Sequence, residues 1–532
     1  MSGLDVPLTP LRFLARTAEA YPDKTGVVDG PRRFTWREVA DRTQQFARAL
    51  RAAGLQPGER VVSLASNSAE QVMAHFAVPL AGGVLVATNT RLSPPEIAYI
   101  LEHSEARIVL TDPDVADAAG QVLAGSGAQL VLLPAEDGSA GDPPDGFRTF
   151  DDLLSGGSAG DDLPWTVDDE TSTITINYTS GTTGRPKGVM YTHRGAYLNA
   201  LGQAQHQGFD ADTHYLWTLP MFHCNGWCSA WGVTAAGGTH VCLRAVRGPA
   251  LWGLIDGEGI THLAGAPTVL SIMGDAAEAH PLETPIRVVT AGAPPNPATL
   301  ERFHELGAQI THVYGLTETY GPYTICEWQD AWDELSPREL ADKLSLQGIG
   351  SSVAERARIV TSSGEDGSEL TDVPADGVSL GEIVMRGNTV MKGYFKDEAS
   401  TAESFAGGWF HSGDLGVQHP NWYIQVVDRS KDVIISGGEN IASIEVEQAL
   451  QRHPAVVDAA VIGVPDERWG EVPKAYVVLR QDAQATEAEL IDHVKTLLAR
   501  YKAPKSVDIR PSLPKTATGK IRKNELKEEA TS

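Results

Sequence analysis

Residues 178–188 read YTSGTTGRPKG and follow directly on an apolar, β-branched run, Thr173–Tyr178. Gly181, Gly184 and Gly188 stand among Thr179, Ser180, Thr182, Thr183 and Lys187. Glycine lets backbone N–H groups turn toward an anion, hydroxyls add donors, and the lysine supplies a point charge. A strand opening into such a loop suits a polyphosphate. It is not a Walker A loop, because that pattern needs glycine immediately before its lysine and Pro186 stands there. A mobile surface loop can hold glycine and threonine too, but so many constrained positions in a row argue for a bound anion.

Around this loop the chain alternates short β-rich runs with longer helix-like stretches. Arg60–Leu64, Arg107–Leu110, His240–Leu243 and Arg287–Thr290 read as further strands. That alternation predicts an α/β fold of layered, mostly parallel sheets and helices. The chain has 532 residues, more than one core of ~250–300 residues accommodates, so at least two folding units are required. No repeat of solenoid or propeller length is visible. Pro134–Pro164 and Ser362–Gly377 are rich in Gly, Asp, Ser and Pro and read as surface loops.

A small α+β unit is expected at the C-terminus. Val433–Ser436, Val456–Val464 and Ala475–Leu479 read as strands, and Ser443–His453 as a helix. Thr486 and Glu489 have capping-box spacing before a helix whose Leu490, Val494, Leu497 and Leu498 share a face. The join falls near Asp428–Lys431, giving a large domain over 1–430 and a small one over 431–532.

Lys plus Arg number 43 against 69 Asp plus Glu, a formal charge of −26. A field of that sign repels nucleic acid and anionic lipid, so neither is an expected partner. It also repels phosphorylated substrates, which therefore need local cations and backbone donors. No run approaches the ~20 apolar residues of a membrane span, and the charged, interrupted N-terminus does not read as a signal peptide. Cys224, Cys228, Cys242 and Cys326 are too few and too irregular for a disulfide framework, and the Cys224/Cys228 pair lacks partners for a zinc site. Buried reduced thiols and a cytoplasmic location are expected. The oligomeric state is open, a homodimer included.

The loop resembles the signature of the adenylate-forming superfamily of acyl-CoA synthetases, adenylation domains and beetle luciferases. The resemblance runs across nearly the whole chain, in the family's order. Gly292, Ala293 and Pro294 look like the segment beside adenine. Residues 312–319, HVYGLTET, look like the next core motif: His312, Val313, Tyr314 and Gly315 border the adenine, with the Tyr314 ring stacked on it. Thr317 and Glu318 serve phosphate and Mg²⁺. Asp414 matches the acceptor of the ribose hydroxyls, and Arg429 the arginine of ribose and phosphate. Lys520, in PKTATGKIRK, matches the catalytic lysine. Singly each motif is weak; six in order are not.

What the resemblance implies is an ATP-dependent acid–CoA ligase of the fatty or aryl branch. A large N-terminal domain with a distorted β-barrel part would carry a small mobile C-terminal domain. A carboxylate would attack the α-phosphorus of ATP, giving acyl-AMP and pyrophosphate, and CoA would then take the acyl group. Mg²⁺ would sit near Thr179 and Glu318. Lys520 would clamp carboxylate and α-phosphate as a compact cation. Lys431 holds the hinge position, and Gly437, Gly438 and Glu439 match the loop lining the CoA path. By their residues alone, these two glycines read first as a simple hairpin turn.

His223, Cys224 and Trp227, in PMFHCNGWC, resemble the border of the acyl pocket, where Trp227 matches a gating tryptophan. A packed core His and Trp is the other reading. Pro322 and Tyr323 line the same pocket in this resemblance. A bulky Tyr320 stands where many relatives have a small residue, so tunnel width is open. No acidic residue is placed to hold a substrate ammonium, which favours an uncharged tail. Transfer to a carrier-protein thiol, a luciferase-like oxygenase, and a retired nucleotide or acyl-AMP sensor are the rival readings.

Overall fold

The computed structural model describes the chain except residues 1–3, 124–126, 180–184, 293–294, 296, 365–366, 438, 467, 481–482, 516–520 and 532. Packing divides it into two compact units. The first comprises Met1–Thr179, Pro186–Arg356 and Arg386–Glu403; the second is built from Ala357–Met385 and Ser404–Ser532.

Two large sheets form the first unit. One runs in the order Gly393–Tyr394, Gly188–Thr192, Thr173–Tyr178, Val84–Ala87, Arg60–Leu64, Ala106–Thr111, Gln129–Leu132 and Phe147–Thr149. It is parallel from Thr173–Tyr178 onward, and its first two strands run antiparallel. The other contains a parallel run through Thr25–Asp29, Thr239–Cys242, His214–Trp217, His262–Gly265, Ile286–Thr290 and Ala308–Leu316. Strands buried on both faces need continuous apolar runs, and Val84–Ala87 is buried at all four positions. The helix Ala69–Leu80 packs against strands of both sheets and is buried all round. Its sequence, AEQVMAHFAVPL, is mostly apolar, and its buried Glu70, Gln71 and His75 are each bonded, Glu70 to Arg32, Gln71 to Ser63 and His75 to the Gln71 carbonyl.

The second unit opens with a five-stranded antiparallel sheet ordered Glu369–Asp372, Arg358–Ser363, Leu380–Met385, Phe410–Gln418 and Ile424–Arg429. Then come Ile434–Ser436, Glu439–Ile441, Val456–Asp466, Gly470–Leu479 and Ser506–Ile509, with the helices Ser443–Gln451, Glu487–Leu497 and Lys523–Thr531. Val446, Leu450, Val461, Val477, Leu490 and Val494 fill a core between helices and sheet. The Thr486–Glu489 capping box is present.

Three expectations change. Pro134–Pro164 contains the strand Phe147–Thr149 and the helix Phe150–Ser155, nucleated by a Thr149–Asp152 capping box and by burial of Phe150, Leu153 and Leu154. Ser362–Gly377 includes a hairpin in which Ser363 faces Glu369; its outer strand is mostly exposed, so it lacks apolar alternation. Of the expected face after Thr486, Leu490 and Val494 are buried as read, while Leu497 is 41% exposed.

Candidate active site

The 178–188 loop joins antiparallel neighbours, with Tyr178 opposite Gly188. It is therefore a hairpin tip, not the strand-to-helix turn of a Walker loop. Its neck is closed twice. The Thr179 N–H donates to the Lys187 carbonyl at 3.0 Å, and the Lys187 N–H to Thr179 Oγ1 at 3.2 Å. Ser180, Gly181, Thr182, Thr183 and Gly184 lie outside the described residues.

The next motif is a second hairpin. Ala308–Leu316 pairs with Gly321–Ile325 across a 3₁₀ turn, Thr317–Thr319. Thr319 Oγ1 accepts the Leu316 N–H at 2.9 Å and donates to the Gly321 carbonyl at 2.8 Å. The Tyr191 hydroxyl donates to the Thr317 carbonyl at 2.6 Å. Behind the turn, the Tyr191 and Tyr320 rings stack with centroids 3.8 Å apart, and the Tyr320 hydroxyl accepts the Thr192 N–H at 2.6 Å. Tyr320 thus points into the core as a prop for this turn. Thr317 and Glu318 remain half-buried on a backbone fixed from three sides.

One tyrosine joins the two hairpins. The Tyr394 hydroxyl donates to Glu318 Oε1 at 3.0 Å, and Lys187 Nζ lies 4.6 Å from the centre of the same ring. The Met391 N–H donates to the Glu318 carbonyl at 2.7 Å.

Tyr314 and Gly315 are half-buried beside this turn. His312 and Val313 are buried, and His312 Nδ1 contacts the Leu346 carbonyl at 3.1 Å. Burial pushes the His312 pKa down to about 4, so its imidazole is neutral. These two side chains serve the sheet rather than open space. Gly292 is exposed at φ +96°, after the strand Ile286–Thr290; Ala293 and Pro294 lie outside the described residues.

The acyl-pocket candidates share an unusual backbone. Cys224, Asn225, Gly226, Trp227 and Cys228 all have positive φ, between 42° and 61°. A left-handed turn of non-glycine residues costs roughly 1–2 kcal/mol each, so its surroundings must impose it. Asn67 bonds the carbonyls of Trp217 and Leu219 and the Met221 N–H, and Asn177 Oδ1 accepts the Asn225 N–H at 2.9 Å. The turn is thereby docked onto the Thr173–Tyr178 strand. The Cys224 thiol lies 3.7 Å from Thr317 Oγ1 and 4.0 Å from His223 Nε2. Trp227, 5% exposed, packs against Gly321. Gly321 holds φ +97°, and a Cβ there would lie 2.4 Å from Trp227 Cδ1; one on Gly315 would lie 1.8 Å from the Gly321 carbonyl. Pro322 is buried, and the Tyr323 hydroxyl is spent on the Glu355 and Arg386 carbonyls, at 2.7 Å each.

In the second unit, Asp414 and Arg429 face each other on adjacent strands and form an ion pair at 2.6 Å. Asp414 is buried, while Arg429 is 40% exposed. Ser412 Oγ accepts the Asp414 N–H at 3.0 Å. Two residues on, the Lys431 carbonyl accepts from Lys527 Nζ at 3.3 Å, and Lys527 pairs with Asp432 at 2.9 Å. Burial draws the Lys431 pKa down. Gly437 falls at the tip of the hairpin in which Ser436 faces Glu439 and takes φ +61°, which a tight hairpin turn requires. Glu439 is exposed, and Gly438 lies outside the described residues.

Lys520 also lies outside them. On either side of it, Lys515 bridges Ile521 and the Arg522 N–H donates to the Pro514 carbonyl at 2.8 Å. Lys523, three residues beyond, is buried against Glu447 at 2.7 Å and Ser443 Oγ at 2.6 Å.

Tyr394, Tyr191 and Asn177 were not legible as site residues. Their partners are remote in sequence, and no spacing marks them.

Two hairpins of the first unit thus present a lysine and a carboxylate to one tyrosine, and the second unit carries a buried aspartate paired with an arginine. The chain belongs to the AMP-binding enzyme family, which matches residues 14–395, with the AMP-binding enzyme C-terminal domain matching 445–520. An acetate–CoA ligase of Humulus lupulus is 44% identical over 545 residues, covering 98% of this chain and 94% of the relative. A peroxisomal acetate/butyrate–CoA ligase of Arabidopsis thaliana is 42% identical, with the same coverage. Among solved structures, the o-succinylbenzoate CoA synthetase of Bacillus subtilis in complex with its acyl-adenylate intermediate matches with a TM-score of 0.79 at 29% identity, over 97% of each chain.

Proposed function

We infer that the chain is an ATP-dependent acid–CoA ligase acting on a fatty or aryl carboxylic acid. The observation that carries this reading is the convergence of Lys187 and Glu318 on Tyr394, at the neck of a glycine- and threonine-rich hairpin.

A carboxylate is a poor acyl donor because its leaving group would be oxide. Its oxygen attacks the α-phosphorus of ATP, the bond to pyrophosphate breaks, and acyl-AMP forms. The sulfur of CoA then attacks the acyl carbon and AMP leaves. Two anions meet in the first step, so the protein must neutralise charge and hold them in line. Lys187 and the donors of residues 179–184 serve the phosphates. The Asp414 carboxylate takes the ribose hydroxyls, and Arg429 holds that carboxylate while offering its exposed face to phosphate. Lys520 clamps the reacting oxygens. His223, Cys224 and Trp227 border the acyl group, with Gly321 seating the indole.

Mg²⁺ fits this donor set. Among the described residues no cluster of three or more His, Cys, Asp or Glu could hold a metal. Magnesium, however, is usually held by one or two carboxylates together with substrate phosphates. Glu318 and the Thr179 hydroxyl are hard oxygen donors of that kind. The bound ion would spread charge over the phosphate oxygens.

CoA as acceptor, rather than a carrier protein, rests on the relatives' names. The C-terminal domain from 431 onward is proposed to turn about Lys431 between the two steps, with Gly437, Gly438 and Glu439 lining the pantetheine path. Among the described residues no helix is long and apolar enough to cross a membrane. A cytoplasmic location is proposed from the four buried cysteines, none of them in a disulfide; the peroxisomal Arabidopsis relative makes organelle fractionation the test.

The activity is tested with a panel running from acetate and butyrate to longer and aromatic acids, each with ATP and CoA. AMP, pyrophosphate and thioester should appear in equal amounts with at least one acid. Adenylate formation without thioester would shift the assignment to a carrier-protein acceptor, and no turnover across the panel would leave a binding protein.

A further inference from the structure

Tyr394 has no part in the chemistry above, yet it touches both charged ends of the first unit's site. It lies in the two-residue strand Gly393–Tyr394, paired with Gly188–Thr192, and is 8% exposed. The surrounding segment cross-links the two hairpins through backbone bonds. The Lys392 and Phe395 N–H groups donate to the Met190 and Gly188 carbonyls, at 2.9 and 2.7 Å, while Met391 serves Glu318. The Tyr394 N–H is itself held by Thr401 Oγ1 at 2.9 Å. The ring is therefore fixed relative to both hairpins.

A lysine and a glutamate this close to one ring could pair directly, and each would then neutralise the other. No ion pair joins them. The ring instead gives each a separate partner: its face attracts the Lys187 ammonium, and its hydroxyl donates to one Glu318 oxygen. The second carboxylate oxygen is left for another partner. We propose that Tyr394 is a positioning residue that keeps Glu318 aimed for the metal of the metal–nucleotide complex and seats Lys187 apart from it for the phosphates. This rests on the ligase reading above.

Binding of a non-hydrolysable ATP analogue, measured by calorimetry with Mg²⁺ and again in EDTA, separates the two arms. Tyr394→Phe keeps the ring and loses only the hydroxyl. Its affinity should fall about tenfold with Mg²⁺, the scale of one hydrogen bond to a charged group, and stay within twofold of wild type in EDTA. Tyr394→Leu should lose affinity in EDTA as well, by a few-fold, as the cation–π contact goes. In a Glu318→Gln background the Phe substitution should add nothing with Mg²⁺, a non-additivity that loss of packing would not produce. Equal losses with and without metal, or full additivity with Glu318→Gln, would overturn the proposal. So would wild-type affinity in Tyr394→Phe. A wild type that bound no nucleotide under either condition would overturn the ligase reading as well.

Discussion

The candidate residues of the two units are held by different forces. In the first unit, Thr317 and Glu318 are fixed by backbone bonds, the stacked Tyr191–Tyr320 pair and Tyr394. In the second, charge does the holding: Asp414–Arg429 at 2.6 Å, Lys523–Glu447 at 2.7 Å and Lys527–Asp432 at 2.9 Å. Buried aromatic contacts ignore salt, whereas the partly exposed Lys527–Asp432 pair is screened by it and contributes about 0–1 kcal/mol; Lys523–Glu447 and Asp414 are largely buried, so breaking their pairs costs more. The first set is therefore the rigid side, held without charge; the second is held by charge.

Acid should break that contrast most strongly, and from the rigid side. Burial pushes His75, His193, His262 and His312 down to about 4 and His240 to about 3, all in the first unit. Unfolded histidine titrates near ~6.5. Below that pH the unfolded chain takes up protons the folded one refuses, so this stability is present above pH ~6.5 and lost as pH falls toward ~4. Between pH 7 and 5 each residue should forfeit about 1–2 kcal/mol. Hydrogen exchange read by mass spectrometry should show protection collapsing first in segments around these histidines. Loss that began in the Ser443–Ile509 region would contradict the assignment.

A smaller effect is expected at the Trp227 seat. Gly321→Ala places a Cβ 2.4 Å from the indole at φ +97°, which should cost about 1–3 kcal/mol by overpacking and strain. If Trp227 also borders the acyl group, the preferred chain length should shift while the KM for ATP holds. A lowered melting temperature with an unchanged acid profile would make Trp227 a core residue only.

How much of this was legible follows from where the signal sits. Thr173–Tyr178 and Arg60–Leu64 occupy the residues their sequence assigns them, because their β-branched residues mark them as strands. The Thr486–Glu489 capping box is equally local. The hairpin at Arg358–Asp372 hid behind polar edge residues. The left-handed Cys224–Cys228 turn was hard to read, since only Asn225 and Gly226 among its five residues favour positive φ. Tyr394 is a lone aromatic whose meaning comes from partners 76 residues away at Glu318 and farther still at Lys187.

The most direct test is a rapid-quench single turnover with α-labelled ATP, Mg²⁺ and the best acid of the panel, run without CoA and then with it. Without CoA the wild type should accumulate acyl-AMP and pyrophosphate in equal amounts, and CoA should convert that adenylate to thioester and AMP. Lys520→Ala should form acyl-AMP about 10²–10³ more slowly, as expected for one lost electrostatic group, yet convert supplied acyl-AMP to thioester at nearly the wild-type rate. Release of ADP, thioester formed with no adenylate before it, or equal loss of both steps in Lys520→Ala would contradict the account.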